Sequence, residues 1–213
     1  MFIFGHIGLT VGAATILANS LPRKDSAGTA VQKINKASPF YWFRSNISSF
    51  LTYSNSLFAT LGHYIDIRLL VIASILPDII DKPIGIYFFK DTISNGRIIC
   101  HTLIFLILIT TIGLYMYKRH RRTSLLGVSF GVFTHLVFDQ MWHSPRTLFW
   151  PIYGITFDKG HTTDWITNML NALVTDPHVY IPELVGAAIL FWFTLALVHK
   201  KAVFGFIKYG HVY

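Results

Sequence analysis

The sequence predicts an all-α fold, a multi-pass helical membrane protein with about five transmembrane helices, and three observations carry that prediction. Of its 213 residues 53% are hydrophobic and only 13% charged, with a mean hydropathy of +0.50. The apolar residues gather into runs close to the roughly 20 that a helix needs to cross hydrocarbon. Lys and Arg sit in short clusters beside those runs, as charge that sets membrane topology does.

Taken in order, the first expected span covers residues 1–20, where Gly5, Gly8 and Gly12 would let a neighbouring helix approach closely. A cleaved signal peptide is the rival reading of this stretch. It lacks a basic leading region, so a retained helix is expected. The second span, 66–81, is short and is broken by Pro77, which frees backbone groups that must face protein or a wet cavity. The third and fourth, 98–117 and 123–142, are joined by the KRHRR turn at 118–122. The fifth, 183–198, is followed by HKK. Between the first two lies an insert at about 21–65, rich in aromatics and serines from 38 onward and too polar to span, which is expected along the membrane interface. No repeat, low-complexity tract or Gly-rich phosphate loop is present. The whole chain, 1–213, reads as one integral-membrane domain.

Charge and cysteine usage narrow the function. The net charge of +8 does not point to nucleic acid, because the basic residues flank apolar runs and suit anionic lipid instead. A single cysteine, Cys100, excludes an intramolecular disulfide and argues against a thiolate metal cluster. Placing KRHRR and HKK inside makes 21–65 inside as well. The inner segments then hold twelve Lys and Arg: five in 21–65, four at 118–122, and Lys200, Lys201 and Lys208. The outer segments hold five: Lys82, Lys90, Arg97, Arg146 and Lys159, with Arg68 at a border. The bias predicts an N-out, C-in arrangement in the cell membrane.

That topology assigns a depth to each polar residue, since a helix rises about 1.5 Å per residue. Counting from the inner border, His135 lies roughly 18 Å up, Asp139 roughly 24 Å, His101 roughly 25 Å, Asp78 roughly 15 Å and His6 roughly 26 Å. All five fall in one band in the outer half of a core about 30 Å thick. Ionisable groups in a bilayer are expensive, about 2.5–3.5 kcal/mol for an Asp at a helix centre on translocon scales, so several at matched depth should stabilise one another. A shared divalent cation does this, neutralising carboxylates and accepting neutral imidazoles as ligands.

The individual signals have plainer readings. His135 and Asp139 form an H-x-x-x-D pair on one helical face with Gly127 and Gly131, a spacing that suits either a common ion or a local hydrogen bond. Asp78, in ILPDIID, is either a ligand or a cap at a membrane exit. His101, one turn after Arg97, is either a ligand or an interfacial histidine. His143, one turn beyond Asp139, is either a further ligand or an exit residue, His63, His120, His199 and His211 fall on the inner side, and His161 and His178 have no fixed partner.

The series FGH, ILPDIID, R-x-x-x-H, H-x-x-x-D and FWP resembles the membrane-bound metal-dependent hydrolase family of the LexA-binding inner-membrane hydrolase type, over roughly residues 1–20 and 66–151. The order D, H, H-x-x-x-D is also similar to the zinc-dependent phospholipase C and single-strand nuclease superfamily. The resemblance implies Asp78, His101, His135 and Asp139 as ligands of a first metal, with His6 serving a neighbouring one. Two departures stand out. The family pattern P-D-x-D has Ile80 at its second carboxylate position, with Asp81 one residue late, and H-R-x-x-x-H has Gly96 where the first histidine belongs.

Together these readings predict a membrane hydrolase with a divalent metal, zinc before magnesium on ligand type, at the outer membrane–water boundary. Asp81 is the expected general base or bridging ligand, and Arg97 the residue expected to stabilise an anionic transition state. The depth and the resemblance favour a phosphoester of a lipid or lipid-linked substrate, with no nucleic-acid partner. A non-enzymatic protein whose metal clamps the helices and which acts as an interaction partner or regulator is the alternative. A metal-ion transporter would want polar residues on both sides of the midplane, and the inner half has almost none.

Overall fold

A computed structural model of the chain describes residues 2–20, 57–62, 64–89, 95–159 and 165–210. All regular structure among them is helical. Helix α1 is Ile3–Ser20, α2 Ile67–Pro83 with a π-helical extension Ile84–Phe88, α3 Leu103–His120, and α4 Ser124–Phe138. After a 3₁₀ turn at Met141–His143 come α5 (Pro145–Leu148), α6 (Trp165–Thr175), α7 (Pro177–His199) and α8 (Val203–Tyr209).

Local chemistry sets most of these boundaries. Asp66, Thr102 and Asp176 cap the N-termini of α2, α3 and α7, each side chain accepting from a backbone N–H of the first turn. Pro177 follows Asp176 at a position where its missing N–H costs nothing. Arg121, in the left-handed conformation, closes α3 and turns the chain into α4.

Among the described residues three helices, α1, α3 and α7, are long and apolar enough to cross a membrane, and the shorter α2 and α4 stand where the second and fourth spans are expected. Helix α4 is apolar but 15 residues long, about 22 Å at helical rise. Helix α2 has 17 residues, with Pro77, Pro83, Asp78, Asp81 and Lys82 in its second half. Both shorter helices end at polar residues that turn inward, and α3 begins only at Leu103 because the preceding segment is folded over α2. A window of hydropathy cannot see that these ends are held by one another.

Glycine decides how closely the helices meet. A Cβ at Gly8 would strike the backbone of Gly186, and one at Gly131 would come within 2.6 Å of the Ala73 Cβ. Helix α1 therefore packs backbone to backbone on α7, and α4 on α2. Thr10 and Thr134 share a buried hydrogen bond of 2.8 Å between α1 and α4. Opposite the first turn of α1, the Glu183 carboxylate accepts from the Phe2 N–H at 2.6 Å, supplying from α7 the cap that α1's own sequence lacks.

Much of the expected insert, residues 21–56 and 63, lies outside the described residues. Of its last part, residues 57–62 are helical, and Phe58 and Leu61 are buried with Val11, Ala14, Ile67, Leu70 and Phe193. By contrast α3 buries only Gly113 and exposes Ile104, Ile107, Leu108, Ile112 and Leu114. So extensive an apolar face belongs in lipid.

Candidate metal centre

The polar ends of three helices meet at one place. Asp78 comes from the last turns of α2, His101 from the residues before α3, His135 from the last turn of α4 and Asp139 from its C-cap. One ligand atom from each lies within 4.8 Å of all the others. His135 Nε2 is 3.2 Å from His101 Nε2 and 3.8 Å from Asp78 Oδ1. His101 Nε2 is 3.6 Å from the same Asp78 oxygen and 4.0 Å from Asp139 Oδ2. Ligand bonds of 2.0–2.2 Å to a tetrahedral ion would place donors about 3.3–3.6 Å apart. The cluster thus has nearly the dimensions of a coordination shell.

The far nitrogen of each histidine is fixed. His135 Nδ1 lies 2.7 Å from the Ser74 carbonyl oxygen, a contact that exists because Gly131 lets α4 settle against Ala73 and Ser74. His101 Nδ1 lies 2.7 Å from Asp81 Oδ2. With each Nδ1 donating outward, each Nε2 presents a lone pair to the centre, the arrangement by which histidine ligands are oriented in metal sites.

Asp81 lies behind His101. It is fully buried, and its carboxylate accepts from the backbone N–H groups of Ile98, Cys100 and His101 at 2.9–3.2 Å as well as from His101 Nδ1. Both oxygens accept hydrogen bonds, and the contact with Nδ1 gives Asp81 the orienting of His101. Gly85 makes this possible, because a Cβ there would run into the Asn95 carbonyl and hold the 95–102 segment off α2.

His6 faces the cluster from α1. Its ring stacks on His135 with centroids 4.1 Å apart, and its Nε2 is 3.2 Å from Asp139 Oδ1 without hydrogen-bond alignment. It is wholly buried and neither ring nitrogen has a hydrogen-bond partner. A buried imidazole without partners is costly, and an ion or water among these groups would supply what it lacks. Arg97 reaches the same place, with Nη2 2.8 Å from Asp139 Oδ2. His143 is exposed beside Trp142 and forms no part of the cluster.

Three contributors escape a reading of motifs. The Ser74 carbonyl is a backbone group and carries no sequence signal. Glu183 has no local pattern to betray its partner. Lys82 had one, since it stands four residues after Asp78 on the same helical face, and its Nζ lies 2.7 Å from Asp78 Oδ2.

A family model described as YdjM inner membrane protein matches residues 1–211 of the chain. Neither a curated protein nor a solved structure matches it.

Proposed function

The chain belongs to the YdjM inner membrane protein family, and on that premise we propose that it is a metal-dependent membrane hydrolase acting on a phosphoester of a lipid or lipid-linked substrate. The observation that carries the reading is the convergence of two imidazole nitrogens and two carboxylates within 4.8 Å, with both imidazoles oriented from behind. Asp78, His101, His135 and Asp139 would hold the ion. Mixed nitrogen and carboxylate donors favour zinc over magnesium. When bound, such an ion supplies Lewis acidity and brings the acidity of water toward neutral pH.

The remaining residues take roles from their positions. Asp81 keeps His101 in one tautomer and one orientation. His6, buried with its Nε2 3.2 Å from Asp139 Oδ1, is the group placed to hold a water or receive its proton. Arg97 provides positive charge where a phosphoryl group would become more negative. The flanking segments expose Tyr87, Phe88, Trp142, Ile152, Tyr153 and Ile155, an apolar surround that suits a substrate arriving from lipid.

A structural clamp is the second reading, favoured by the complete burial of His101 and His135. A clamp needs four protein donors and no open position. The two readings part on turnover. Purified protein in lipid should hydrolyse phosphatidic acid or a lipid-linked pyrophosphate, lose activity with chelator and regain it with zinc. Zinc-replete protein that turns over no lipid phosphoester would leave the clamp.

A further inference from the structure

We propose that Lys82 is an anion-binding residue that, with Arg97, makes the loaded site receptive to a phosphate-ester anion. The proposal deepens the function above and rests on its metal site.

The Asp78 carboxylate is divided between two neighbours. Its Oδ1 faces the Nε2 atoms of His101 and His135, while its Oδ2 holds the Lys82 ammonium at 2.7 Å. Asp139 likewise carries Arg97 at 2.8 Å. Each ligand carboxylate therefore brings one cation to the edge of the site. The lysine stem is held in place from the other side, because a Cβ at Gly96 would approach the Lys82 Cγ to 3.0 Å. A bare glycine next to Arg97 leaves the room in which Lys82 lies.

Exposure orders these groups from floor to mouth. The histidine ligands and Asp81 are fully buried, and the side chains of Asp139 and Asp78 are 4% and 16% exposed. Lys82 and Arg97 are 34% and 41% exposed. An anion entering from outside meets the two cations before the ligands.

Charge then decides what the site accepts. Among the described side chains, Asp78, Asp81 and Asp139 contribute three negative charges and Lys82 and Arg97 two positive ones. A divalent ion with neutral imidazoles makes the sum +1. Without the two cations the loaded site would carry −1 and repel a phosphate, strongly so where the dielectric is low. A pure helix clamp gains nothing from cations at its mouth, whereas a phosphate-binding site needs them. An ordinary i,i+4 pair predicts something else: losing Lys82 would change how firmly Asp78 holds metal and leave anion affinity alone.

The test uses full-length protein in phosphatidylcholine nanodiscs, with and without zinc. Inorganic phosphate is titrated by calorimetry, and phosphatidic acid doped into the nanodiscs is followed by ³¹P NMR. Lys82→Gln should retain zinc and weaken phosphate or phosphatidic acid binding about tenfold or more, with Lys82→Arg close to the parent. Dependence in the phosphatidic acid arm alone assigns a lipid headgroup, and dependence in both arms assigns phosphate from either source. Equal affinity of Lys82→Gln and parent in both arms overturns the proposal. So does an affinity loss matched by an equal loss of zinc. If no zinc is taken up, Lys82-dependent phosphate binding preserves the anion role while the metal reading falls, and no binding at all removes both.

Discussion

Asp81 Oδ2 lies 2.7 Å from His101 Nδ1, and neither side chain has any exposure to solvent. The carboxylate is itself held by three backbone N–H groups, so the imidazole is fixed to a rigid anchor. The carboxylate thus stands one layer behind His101.

Asp81→Asn is therefore expected to weaken zinc binding by about 10- to 100-fold, the usual cost of losing a partner behind a metal-ligating histidine. Competition against a chelating dye measures it. Unchanged affinity would show that His101 does not depend on this contact.

His6→Ala should lower turnover more than it lowers zinc content, because His6 lies beside Asp139 and stacks on His135 without completing the four-donor cluster. Metal analysis and activity on the same preparation separate the two effects. Parallel losses of both would make His6 a ligand.

Gly131→Val would drive a branched side chain into Ala73, 2.6 Å from where its Cβ must go. Overpacking of this kind costs about 1–3 kcal/mol. It would also push α4 away from the Ser74 carbonyl that orients His135, so thermal stability and zinc affinity should fall together. Ala73→Gly in the same chain should restore part of both, and a double-mutant cycle reads the coupling. Simple additivity of the two substitutions would place the strain elsewhere.

The site and the KRHRR turn lie at opposite ends of α3, about 27 Å apart for 18 residues. With the basic turn inside, as the charge bias predicts, the site opens outside. In a Cys100→Ala background, a cysteine at Ser124 should resist an impermeant outside reagent and one at Lys159 should label. The reverse pattern would move the site to the inner face and with it the lipid leaflet that supplies substrate.

Composition and hydropathy alone identify the class of molecule. Long apolar runs can be stable only as helices in lipid, since every backbone group must be satisfied within the segment. Polar residues at matched depth in such runs must find one another, which is why Asp78, His101, His135 and Asp139 could be selected before any contact was known. Periodicity and hydropathy are properties of single segments, and they carried no further. That α2 and α4 are short is a matter of packing, because their polar ends meet at one place. Packing likewise sets what Asp81 touches. One residue's displacement along a helix turns a side chain by about 100°, and whether that aims it at the ion or at His101 depends on the segment folded over Gly85. The Ser74 carbonyl, the Glu183 cap and the Lys82 stem over Gly96 arise in the same way, from backbones brought into contact by glycine, a relation that no single stretch of sequence contains.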